Sequence, residues 1–107
     1  MSRRLQRLNV LFREELAGLI RLELRDPRLA SVISITRVDI SPDLENATVY
    51  VSVMDDEHSK EETIHALATA APFLRRQLKQ RVSIRKTPNL HFVLDLMRQV
   101  RDRETET

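Results

Sequence analysis

Cysteine is absent from this 107-residue chain, which excludes a disulfide framework, a thiolate metal site and thiol redox chemistry, and suits a reducing interior. The single glycine, Gly18, rules out a glycine-rich phosphate loop or a dinucleotide fingerprint, each of which needs several. Aromatics are as scarce, with three Phe, one Tyr and no Trp. Phe12, Phe73 and Phe92 fall at core-periodic positions, so Tyr50 alone is left as a candidate platform for base stacking, and surface packing is the commoner role of such a residue. No apolar run approaches the roughly 20 residues that span a bilayer. Ser2-Arg3-Arg4-Leu5 resembles the start of a twin-arginine export signal, but Arg7, Arg13, Glu14 and Glu15 interrupt the segment that should be apolar. A cytoplasmic protein without membrane association is expected.

The inventory for catalysis is equally thin. His58, His65 and His91 fall in a turn, a helix and a strand, without the close spacing of metal ligands. Asp55, Asp56, Glu57, Glu61 and Glu62 cluster in one loop and helix start, where solvation or helix-end electrostatics accounts for them without a general acid and base pair. Asp95, after the last predicted strand, reads as a structural carboxylate. No catalytic residue, metal, cofactor or small-molecule substrate is expected.

What the chain does have is segregated charge. Thr63 to Leu94 carries Arg75, Arg76, Lys79, Arg81, Arg85 and Lys86 and not one acid. Asp39 to Glu62 holds Asp39, Asp43, Glu45, Asp55, Asp56, Glu57, Glu61 and Glu62 against one base, Lys60. The net charge of +2 conceals this division. A local basic field draws a polyanion to one surface and leaves the rest unbound. With one candidate stacker, the chain is better suited to docking on folded RNA through phosphates than to reading single-stranded bases in sequence.

Periodicity supplies the elements. Leu5, Leu8, Phe12, Leu16 and Leu19 recur at steps of three and four, predicting a helix over 3–25 that stops at Asp26-Pro27 and tolerates Gly18 at about 1 kcal/mol relative to Ala. Residues 31–41 predict a strand whose apolar parity switches near Thr36-Arg37, the mark of a bulge. After a turn at Pro42-Asp43, the alternation of Ala47, Val49, Val51 and Val53 predicts a second strand, antiparallel to the first. Ser59 is placed to cap the next helix, with Lys60, Glu61 and Glu62 in its first turn. At Ala70-Ala71-Pro72 that helix is expected to break, Pro72 starting a new helix through Leu74, Leu78 and Val82. Arg81 falls in the apolar arc, so it must snorkel or lie at the helix end. A third strand is predicted over Leu90 to Leu94, and the last residues read as a frayed, polar tail.

The order helix, strand, strand, helix, kink, helix, strand is that of the bacterial, type II KH domain. With it come Arg25-Asp26-Pro27-Arg28, Val38-Asp39-Ile40-Ser41-Pro42-Asp43-Leu44, Ala47-Thr48-Val49-Tyr50-Val51-Ser52, Phe73-Leu74-Arg75, and Thr87-Pro88-Asn89-Leu90-His91-Phe92 with Asp95. In order and spacing these segments resemble the ribosome-binding factor A family across roughly residues 3–95. The resemblance implies an assembly factor that binds immature 16S ribosomal RNA on a precursor of the 30S small subunit and assists late maturation, including the RNA's 5′-end region. In that family a kink of Ala and typically Gly replaces the KH Gly-x-x-Gly clamp. Here Pro72 stands where Gly is usual, removing a backbone donor and fixing φ, so side chains must supply the grip.

The expectation is therefore one α+β domain of KH-like topology over 3–95, its three-stranded sheet packed against helices, with a charged tail over 96–107, acting as a non-enzymatic monomer. Arg75, Arg76, Lys79, Arg85 and Lys86 are the expected phosphate contacts, with Arg28, Arg3, Arg4 and Arg7 secondary. The acidic stretch Asp55 to Glu62 should face away from RNA. A protein-interaction adaptor using the same dipolar surface is the alternative.

Overall fold

Ser2 opens the first helix, its hydroxyl accepting the Leu5 N–H at 3.1 Å and satisfying one of the donors that a helix start leaves bare. The computed structural model describes residues 2–29, 33–54 and 57–96. Helix α1 spans Arg3–Glu23, and Leu24 is already extended, two residues short of the expected end. Pro27 holds the preceding residue out of helical geometry, and the Asp26 carboxylate turns the chain by accepting the Arg28 N–H at 2.9 Å. Phe12, Leu16, Leu19 and Ile20 form its buried stripe.

Strands β1, Ile33–Ile40, and β2, Asn46–Val53, pair antiparallel from Ile40 opposite Ala47 to Ile33 opposite Val53. The register shifts between Ile35 and Arg37, so the predicted bulge is present with Thr36 as the extra residue. Residues 31 and 32 of the predicted strand lie outside the described residues. In the turn, Asp43 accepts from the Ser41 hydroxyl at 2.6 Å and from the Glu45 N–H at 2.9 Å. Leu44 sits in the left-handed region at φ 62, a conformation that costs a non-glycine residue on the order of 1 kcal/mol.

Helix α2 runs without interruption over Glu57–Arg81, with Pro72 inside it. Two expectations are corrected here. Ser59 lies within the first turn rather than capping it, and the predicted division into two helices at Pro72 does not occur. Pro72 cannot donate to the Ala68 carbonyl and crowds that turn, a cost of roughly 3 kcal/mol. Against it stand Leu67, Leu74 and Leu78, all but fully buried, each contributing about 1.5–3 kcal/mol. They share one face only if helical phase is kept across Pro72, so packing carries the helix through. The acidic turn expected at Asp55 to Glu57 has Asp55 and Asp56 outside the described residues.

From α2 the chain returns along β3, Asn89–Leu94, which pairs parallel with β2, so α2 is the crossover that parallel strands require. The sheet order is β1-β2-β3. Val38, Ile40, Val49, Val51, Leu90 and Phe92 form the covered face, against Phe12, Leu16, Leu67 and Leu74 of the helices. Asp95 closes the sheet, its N–H donating to the Val51 carbonyl and its carboxylate receiving the Thr36 hydroxyl at 2.5 Å. That structural role is the one expected for it. The predicted tail over 96–107 lies outside the described residues except for Leu96.

Candidate nucleic-acid interface

The C-terminal half of α2 brings Arg75, Arg76 and Lys79 onto its solvent side, all three exposed. They are not equivalent. Arg75 donates through Nε and Nη2 to the Thr87 carbonyl at 3.1 and 2.8 Å, pinning the loop after α2 back onto the helix. Thr87 and Pro88 are buried beneath that clasp. The loop that leaves α2 carries Arg85 and Lys86, and Thr87, the next residue, is the one that Arg75 holds.

Two of the five expected cations are already engaged. Arg75 holds the loop, and the Lys86 ammonium is paired with the Glu45 carboxylate, both about half exposed. Such a pair is worth little in stability and yields to a competing anion at little cost. Among the described residues, Arg76, Lys79 and Arg85 have no ion pair or hydrogen-bonded side-chain partner. Arg81 is the last residue of α2, exposed and 3.9 Å from Glu15, so the helix ends there while Val82 after it is still buried in the core.

The secondary arginines separate. Arg4 and Arg85 both line an open cleft of about 530 Å³, together with Ser2 and the apolar Leu5, Leu8, Ile40, Pro42, Leu44 and Ile84. Arg3 and Arg7 are exposed on α1 and do not line that cleft. Arg28 is elsewhere again, beside Ala66, Thr69 and Ala70 of the first half of α2. Its guanidinium grips Asp26, with Nη2 at 2.6 Å from Oδ2 and Nε at 3.0 Å from Oδ1. That side-chain hydrogen bonding holds the Asp26 carboxyl down at about 2. Charge alone flagged Arg28, whereas the Asp-x-Arg spacing is what ties it to its own turn.

Tyr50, the one candidate stacker, is covered: the Arg37 guanidinium lies 4.0 Å from its ring centroid on the uncovered face of the sheet. Sequence reasoning placed Tyr50 in surface packing but missed Arg37 as its partner. The cross-strand register of Arg37 opposite Tyr50 was hidden by the bulge that shifts it. The cleft was also missed, because its walls come from three separate segments and carry no motif. Ala70, Ala71 and Pro72 are interior positions of α2, so no helix break presents backbone donors there. Among the described residues no group of three or more His, Asp or Glu could hold a metal ion, and no helix is long and apolar enough to cross a membrane.

Two helices on one face of a three-stranded sheet, with a parallel crossover between β2 and β3, make this a KH-like α+β domain. Residues 4–104 match the family model of ribosome-binding factor A. A ribosome-binding factor A of Dehalococcoides mccartyi is 44% identical over 96 residues, covering 90% of this chain and 81% of that protein. The crystal structure of ribosome-binding factor A from Thermus thermophilus superposes with a TM-score of 0.75 at 31% identity, over 84% of this chain and 93% of that one. A second Thermus thermophilus structure, a homology model fitted into the cryo-EM map of a complex with the 30S subunit, gives 0.66 at 32% identity over 79% and 88%. The chain belongs to the ribosome-binding factor A family.

Proposed function

We propose that this protein binds 16S ribosomal RNA on the immature 30S subunit in the cytoplasm and assists its late maturation, including processing at the 5′ end, as a monomeric factor without catalytic activity of its own. The observation that carries the reading is the fitted 30S complex of the Thermus thermophilus relative, joined to the cation cluster at the end of α2. Arg76, Lys79 and Arg85 supply the phosphate contacts, Lys86 joins them by exchanging Glu45 for phosphate, and Arg4 extends the surface past the cleft. Arg75 holds the loop in place for the others.

Sedimentation and salt titration test this together. The protein is expected to sediment with free small subunits and not with intact ribosomes. Its affinity for small-subunit precursor RNA should fall linearly with log salt, the slope shrinking by about 0.7–0.9 for each phosphate that is no longer engaged. Replacing Arg76, Lys79 and Arg85 by Ala should therefore flatten the slope by about 2 to 3. A folded triple variant with the parent's slope would move the RNA surface elsewhere, and subunit binding without RNA affinity would favour a protein adaptor. Precursor RNA incubated with the protein alone should remain uncut.

A further inference from the structure

We propose that the cleft lined by Arg4 and Arg85 receives one unpaired nucleobase of the bound RNA, with the two guanidiniums on its flanking phosphates. This rests on the RNA-binding reading above and names the RNA element that reading leaves open.

The cleft joins an apolar interior to a cationic rim. Leu5 and Leu8 of α1, Leu44 of the β1–β2 turn and Ile84 of the loop after α2 form its walls. Among the described residues its only ionisable lining groups are Arg4 and Arg85, and no carboxylate lines it. The acids of the β1–β2 turn are turned to other work: Asp43 accepts from Ser41 and from the Glu45 N–H, and Glu45 is paired with Lys86. Ser2 accepts the Leu5 N–H, so its oxygen is committed as a helix cap. An occupant must therefore offer a flat or apolar body together with anionic acceptors on either side. Within RNA, an unpaired nucleotide satisfies both demands, whereas a duplex buries its bases and presents phosphates alone.

The turn points the same way. Leu44 is held at φ 62, where glycine would be free of strain, and its side chain forms part of the cleft wall and packs on the core. An acidic, apolar peptide matches the same lining chemistry. RNA is favoured because Arg85 of the cleft is followed by Lys86 on the loop that Arg75 of α2 holds at Thr87, so a continuous polyanion can run from the cleft toward the cations of α2. The cleft's side chains supply the two arginine donors and, with the Ser2 oxygen committed to its cap, no free acceptor, so the cleft takes an extruded base without reading its edge through an acceptor side chain.

Two RNA hairpins with equal numbers of phosphates, one fully paired and one carrying a single extruded 2-aminopurine, test the proposal. The protein should bind the extruded form about tenfold more tightly, the scale of removing part of one base's apolar surface from water against aliphatic walls. Methyl resonances of Leu5, Leu8, Leu44 and Ile84 should move with that hairpin and stay put with the paired one. Leu44→Gln and Ile84→Gln should each bring the extruded hairpin down to the affinity of the paired one. Equal binding of both hairpins by the parent protein, with the cleft methyls unmoved, overturns the nucleobase site while leaving RNA binding intact. Failure of the parent protein to bind either hairpin overturns the RNA reading itself. Methyl shifts produced by an acidic apolar peptide and by neither hairpin assign the cleft to a protein partner instead.

Discussion

Asp26 shows how a local pairing alters the reading of one residue. Its carboxyl is drawn from 3.8 to about 2, first by the side-chain hydrogen bond with Arg28, then by the Arg28 N–H. The folded value lies below the unfolded one, so the pairing stabilises the fold at and above the ordinary carboxylate range, and that contribution is lost as pH falls from 3.8 through about 2. Carboxyl carbon shifts followed by NMR should therefore place the Asp26 midpoint near about 2, and Arg28→Ala should return it toward 3.8. An unmoved midpoint would show that Arg28 is not what holds the carboxylate. The same grip neutralises Arg28 as a phosphate ligand, so Arg28→Ala should leave the salt slope of RNA binding where it was. Which residues were cationic and exposed was legible in the sequence, because helical phase fixes that. Which were already occupied was not: the partner of Lys86 comes from the β1–β2 turn and that of Arg37 from β2, and both meetings depend on a pairing register that had yet to be set.

At the level of elements, the bulge at Thr36 and the β1–β2 hairpin were readable, since each follows from local parity, and the end of α1 was readable to within two residues of the helix expected up to the Asp26-Pro27 signal. Pro72 was misread for the converse reason: its local preference was correct, and tertiary packing of Leu67, Leu74 and Leu78 overrode it. Because position 72 is exposed and lies in a continuous helix, Pro72→Ala should restore a backbone hydrogen bond without disturbing the packing and stabilise the fold by up to about 3 kcal/mol. Pro72→Gly should gain about 1 kcal/mol less than Ala. Urea unfolding giving the order Pro above Ala would mean that the helix needs the fixed φ of proline here. Gly18 is a second open position, since an added Cβ would meet nothing within 4 Å. Gly18→Ala should stabilise by about 1 kcal/mol, and destabilisation in its place would reveal a contact that the helix face conceals. Arg75 and Arg76 make a matched pair for the loop. Arg75→Ala removes both donors from the Thr87 carbonyl and should cost about 1–3 kcal/mol in urea, with Arg76→Ala nearly neutral. Equal costs would mean that the buried Thr87-Pro88 segment holds itself.

Across the whole molecule the charge pattern of the sequence folds into something less simple than a dipole. α2 does run from acidic to basic, with Glu61 near its start and Lys79 in its last turn, about 27 Å apart at 1.5 Å per residue. The acids of the β1–β2 turn do not stay with Glu61, because β3 pairs beside β2 and brings Glu45 against Lys86 at the basic end. One carboxylate thus sits inside the cation cluster and another lies several Debye lengths away, at about 8 Å each in physiological salt. Glu45→Gln and Glu61→Gln raise the net charge by the same unit, yet only the first should matter. Freed from its partner, Lys86 becomes available to phosphate, so Glu45→Gln should tighten binding to precursor RNA and steepen the salt slope by about 0.7–0.9. Stability should hardly change, the pair being about half exposed. Glu61→Gln should leave both affinity and slope near those of the parent protein. Equal tightening by the two variants would show that the overall field draws RNA in, and the surface assigned to Arg76, Lys79, Arg85 and Lys86 would lose its claim to be the contact.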